Sequence, residues 1–118
     1  GINMNLFYVT ITGLQFRYGS DFLEPNMRIK LTKEPDNEFD AEAIKAELPG
    51  LGTIGYVANS PKTVLGECYS AGRLYDKIPD SIYAEVCYVT GRGVVCSVDV
   101  LQPKPAKIRV KRESVLRF

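Results

Sequence analysis

This 118-residue chain predicts a mainly β fold, a small closed or nearly closed barrel with one or two short capping helices. Three observations carry that prediction. Apolar and polar residues alternate with period two in about six short segments, the pattern of half-buried strands. Glycine and proline turn signals separate those segments at intervals of roughly 8–12 residues. A single stretch, Ser60–Gly72, carries helix-boundary residues at both ends. Strands, then a helix, then strands is the order of a sheet that closes on itself and is capped at one end.

Leu6–Thr12 is the first expected strand, with Phe7, Val9 and Ile11 on one face and Leu6, Tyr8, Thr10 and Thr12 on the other; Gly13 ends it. Arg28–Lys33 alternates through Ile29 and Leu31, and Glu34-Pro35 stops its pairing because proline has no N–H for the ladder. Ala43–Leu48 and Thr53–Val57 flank the turn signal "PGLG". In "NSPKTVLGECYSAG", Ser60 suits a cap, Pro61 a first helical position and Gly72 a left-handed stop, with Val64, Leu65 and Cys68 as the buried stripe. A second, shorter helical turn is expected around Arg73–Ile78. Ile82–Val89 and Val94–Val100 form the last pair across "TGRG". A two-residue Gly91-Arg92 turn sets Val89 opposite Val94 and Cys87 opposite Cys96, read as free packed thiols.

Size and composition fit one folded domain, with 45% hydrophobic and 25% charged residues. No apolar run approaches the roughly 18 residues of a membrane span, and no basic-then-apolar leader opens the chain. Three cysteines without metal-ligand spacing suggest reduced thiols and a cytoplasmic setting. The chain has no histidine, which excludes histidine-dependent triads and histidine zinc sites. No cofactor or metal is expected. Residues 103–118 hold six bases against one acid, +5, leaving nine bases against thirteen acids, −4, in residues 1–102. We therefore divide the chain into a barrel domain, 1–102, and a basic tail or added edge strand, 103–118. Such a tail is compatible with a polyanionic partner.

Two loop clusters stand out. "TKEPDNEFDAEAIKAEL" gathers Asp36, Asn37, Phe39 and Asp40 before a strand. Acidic spacing there imitates a calcium loop, but Ala41 stands where the sharp turn requires glycine. An Asp-Asn turn with an ordinary rim aromatic is one local reading, and a ligand pocket is the other. "GLQFRYG" sets Gln15, Phe16, Arg17 and Tyr18 between glycines. Exposed rings beside a cation stack bases and meet phosphates, although such rings also plug barrel ends.

Taken together, "VTITGLQFRYG", "IKLTKEPDNEFDAEAIKAEL" and "GTIGYVANS" resemble the HIRAN domain, which occurs at the N-terminus of helicase-like transcription factors and as free-standing bacterial proteins. The matching positions are Gly13, Phe16, Leu31, Lys33, Glu34, Pro35, Asn37, Phe39, Asp40, Ala43, Ile44, Gly55 and Tyr56. The resemblance covers Val9 to about Gly72 well, and its ordered E-P-x-N-x-F-D-x-x-A-I string is specific. It implies an OB-like or SH3-like barrel that captures the 3′ end of single-stranded DNA in repair or replication-fork processing, beside helicase or nuclease partners. Carried across, Phe16 and Phe39 stack on bases, Asp40 accepts from the 3′-hydroxyl, Asn37 shapes the pocket and Tyr56 lies on the adjacent strand. The family's arginine after its first G-L is Gln15 here, with Arg17 two places on.

The site so expected is Gln15, Phe16, Arg17, Asn37, Phe39, Asp40 and Tyr56, in a non-enzymatic module. Two rivals stay open: a protein- or peptide-interaction module using an open barrel edge and the aromatic pocket, and a magnesium phosphoesterase built on Asp36, Glu38 and Asp40. An exposed edge strand would also serve a homo-oligomer.

Overall fold

The structure, a computed structural model of the chain, describes residues 5–101. Six antiparallel strands form a closed barrel: β1 (Leu6–Thr12), β2 (Arg28–Lys33), β3 (Ile44–Leu48), β4 (Gly52–Val57), β5 (Ser81–Thr90) and β6 (Gly93–Asp99). Around the barrel the order is β1-β4-β3-β2-β5-β6. All six segments expected to be strands are strands. The proposed tail, 103–118, lies outside the described residues.

Alternation explains the core. Val9 and Ile11 of β1, Ile29 and Leu31 of β2, Ile44, Ile54, Val86, Val94 and Val98 all point inward and are fully buried or nearly so. Each such side chain contributes about 1.5–3 kcal/mol of burial free energy. α1 (Ala71–Tyr75) packs on the core through its buried Ala71 and Leu74, and its capping Ser70 Oγ accepts from the Arg73 N–H at 3.3 Å. Among the described residues no helix is long and apolar enough to cross a membrane.

Closure corrects one expectation. Each strand has a neighbour on both sides, so the barrel offers no exposed edge strand among the described residues for a homo-oligomer or a peptide to extend. The outer side of β1 is also used: Ala58 N–H donates to the Thr10 carbonyl at 2.7 Å, and Tyr69 N–H to the Tyr8 carbonyl at 2.7 Å. Thr10, on the outward face, is buried for that reason.

The same contacts correct the long helix. Ser60 does start a turn, its carbonyl accepting from Thr63 and Val64, but the turn goes no further. The Leu65 N–H, which a continuing helix would direct to Pro61, donates instead to Thr10 Oγ1 at 3.1 Å. Gly66 then adopts a positive φ of 51°, and the chain runs on as an irregular strap across β1. Cys68 is buried as expected, but Gly72 lies inside α1 and ends nothing. Competition from β1 for backbone donors outweighs the local helix signals.

The β5–β6 hairpin turns at Gly91-Arg92, with Val89 opposite Val94. One step on, a bulge between Val86 and Tyr88 takes Cys87 out of register, and Cys96 faces Val86 instead. All three thiols are free. Burial, with smaller effects from Cys87 and Cys68, pushes the Cys96 thiol up to about 12 from an ordinary 9.0. The neutral thiol is the folded form, so its contribution is fully present below pH 9.0 and is lost as pH rises toward 12. Chemical unfolding between pH 8 and 11 is expected to show stability falling by a few kcal/mol, with a flatter slope in Cys96→Ala. Equal slopes in the two proteins would remove Cys96 as the cause.

Candidate nucleic-acid interface

Two loops are brought together over β4. After β1, Gly13 takes a left-handed turn at φ 81°, and a 3-10 turn, Leu14–Phe16, follows. Its anchor is Leu14, whose side chain is buried and whose carbonyl accepts from Arg17 at 3.0 Å and Gly19 at 2.8 Å. Tyr18 Oη donates to the Leu51 carbonyl at 3.2 Å, tying this loop to the β3–β4 turn. The result aims Arg17 back across the barrel, its guanidinium carbon 6.0 Å from the Tyr56 ring centre.

The second loop, between β2 and β3, is organised by Asn37. Its Oδ1 accepts from the Phe39 N–H at 2.8 Å and the Asp40 N–H at 3.1 Å, while its Nδ2 donates to Glu34 Oε1 at 3.1 Å. These bonds form the expected Asx turn, and the same Asn37 also borders a concavity. Tyr56 Oη donates to the same Glu34 Oε1 at 2.8 Å, and Lys45 lies 3.8 Å from Oε2. Partial burial would raise the Glu34 carboxyl. Hydrogen bonds from Tyr56 and Asn37, with the Lys45 and Arg17 charges, outweigh it and hold the group below its ordinary 4.5. Burial, donation to Glu34 and that carboxylate's charge push the Tyr56 phenol above 10.0, against the pull of Arg17. At neutral pH the pair is fixed as carboxylate acceptor and phenol donor.

Between the loops lies a concavity of about 610 Å³, open to solvent and bordered by Arg17, Asn37, Phe39, Asp40 and Tyr56. Five of the seven expected residues thus share one site. Gln15 borders a neighbouring hollow, and Phe16, 83% exposed at the end of its turn, does not line the concavity. In place of the missing arginine after Gly13-Leu14, the loop turns Arg17 inward. Phe39 is 93% exposed and holds its ring over the rim.

Asp40 sits in the wall with both oxygens engaged. Oδ1 accepts from the Glu42 N–H at 2.9 Å, and Oδ2 from Asn59 Nδ2 at 2.8 Å. Asn59 Oδ1 in turn accepts from the Gly72 N–H at 2.8 Å, linking the carboxylate to α1. A carboxylate offers roughly four acceptor positions, so these bonds orient Asp40 without saturating it. Asn59, Thr12 and Thr63 also border the concavity and escaped the sequence reading. Only the meeting of the β4 end with α1 gives Asn59 its place; nothing in "VANS" marks it locally. Among the described residues no three acidic or cysteine side chains converge as a metal site, and Asp36, Glu38 and Asp40 do not.

A closed barrel with an aromatic-rimmed polar mouth and an anchored carboxylate defines a small ligand-binding module. Residues 4–78 match the family described as the HIRAN domain, and the chain belongs to that family. Its structure is similar to the crystal structure of the HIRAN domain of human HLTF, with a TM-score of 0.53 and 18% identity over 80% of this chain and 71% of that one. At this identity the likeness is one of fold. No curated protein matches the chain. The HIRAN domain is a nucleic-acid-binding module, and membership supports DNA binding here.

Proposed function

We propose that this domain binds single-stranded DNA at its 3′-hydroxyl end, as a recognition module in repair or replication-fork processing. The observation that carries this reading is the shared concavity, where an exposed ring (Phe39), a cation (Arg17) and an oriented carboxylate (Asp40) border one opening. Phe39 stacks on the terminal base, Arg17 meets the adjacent phosphate, and Asp40 accepts from the terminal hydroxyl. A 3′-phosphate in the same place is repelled by that carboxylate. The closed barrel disfavours peptide capture by strand addition, because that mode needs an unpaired edge.

The test compares short oligonucleotides ending in a 3′-hydroxyl or a 3′-phosphate, and a third whose free end is 5′. Tight binding of the first alone is expected. Asp40→Ala should erase the preference for hydroxyl over phosphate. Equal affinity for all three would reduce the interaction to general electrostatics and overturn end recognition.

A further inference from the structure

Three hollows meet at the barrel mouth, and their charges differ in sign. The central one sets Arg17 against Asp40. One flanking hollow, of about 490 Å³, shares Asn37, Phe39 and Tyr56 with it and carries Glu34, Asp36 and Glu38 against a single base, Lys33. That lysine is drawn aside, its ammonium 4.6 Å from the Tyr75 ring centre. The opposite hollow, of about 650 Å³, shares Thr12 and Thr63 with the centre and carries Lys62 and Arg92 against a single acid, Asp21. Neither base is ion-paired among the described residues, where both salt bridges use Lys45.

A strand held by one end in the central concavity and continuing along the surface leaves it over one flank or the other. Its backbone carries one negative charge per nucleotide, so the Glu34–Glu38 side repels it and the Lys62–Arg92 side attracts it. We infer that the hollow bordered by Gln15, Lys62 and Arg92 is a second subsite, a track for the phosphodiester backbone upstream of the held end. This rests on the nucleic-acid reading of the central concavity. Lys62 reaches it from the turn begun at Ser60 and Arg92 from the β5–β6 turn, so both of its bases come from outside the two sequence clusters. Gln15, left out of the central site, donates to phosphate through its amide.

Fluorescence anisotropy on the full chain tests the track with 5′-labelled dithymidylate and octathymidylate. Wild-type protein should bind the octamer more tightly than the dimer. The Lys62→Ala/Arg92→Ala variant, altered at two exposed side chains, should lose that gain while binding the dimer unchanged. Losing two phosphate contacts also lowers the salt slope: raising salt from about 50 to about 200 mM should cost the variant's octamer binding about sevenfold less. A variant that keeps both the octamer gain and the salt slope overturns the track, as does wild-type protein that binds dimer and octamer equally. Binding of neither oligonucleotide by wild-type protein overturns the central site as well.

Discussion

Phe39→Ala should weaken binding of a short single-stranded DNA by about 5- to 150-fold while leaving the melting temperature unchanged. The magnitude follows from one lost base stack, roughly 1–3 kcal/mol by alanine substitution. Unchanged stability follows from exposure: a ring that is 93% accessible contributes little to folding. Its backbone is held independently of the ring, through the Phe39 N–H bond to Asn37 Oδ1, so removing the ring leaves the loop in place. Phe39→Tyr should keep most of the affinity because the π-face survives. Phe16→Ala should have a smaller effect, since Phe16 does not line the concavity. Titration by anisotropy, with thermal unfolding in parallel, separates these outcomes. If Phe39→Ala binds as wild type does, base stacking at this rim is wrong.

Gly55→Ala should cost about 3 kcal/mol and lower the melting temperature by more than about 10 °C. A Cβ at this position would stand 2.5 Å from the Thr12 carbonyl oxygen and 3.1 Å from Ile11 Cγ2. The first of these is backbone and has no rotamer to escape into. Relief requires β1 to move away from β4, where the ladder has two register pairs, Ile11–Val57 and Thr12–Tyr56. Three of those four residues, Thr12, Tyr56 and Val57, border the concavity, so affinity should fall with stability. Differential scanning calorimetry and oligonucleotide binding on the same preparation read both effects. An unchanged melting temperature would mean that the two strands are less closely apposed than the geometry indicates.

Much of the fold could be read locally because period-two alternation and turn chemistry are local properties. Ile29 and Leu31, or Gly91-Arg92, need no distant partner to be recognised. What escaped depended on distant groups. Thr10 takes the Leu65 donor and ends a helix that Ser60 and Pro61 begin, and no property of residues 60–72 announces that competition. The bulge that takes Cys87 out of register with Cys96 is likewise unmarked in the local sequence, where the Gly91-Arg92 turn alone predicts an unbroken ladder. At the site, residue type was informative and direction was not. Phe16 and Arg17 are consecutive, and the turn anchored by Leu14 decides that the cation, not the ring, reaches the mouth. Asn37 held two roles at once because its amide organises the loop that it also lines.

The barrel is stitched unevenly. β1 and β6 share a ladder of six register pairs, whereas β1 and β4 share two, at the very lip where the concavity lies. That shorter ladder is where the cylinder is expected to open first, which amide hydrogen exchange would read. A guest lodged between Arg17 on one side and Asp40 on the other would span the weak seam like a clasp, so that occupancy and barrel integrity reinforce each other.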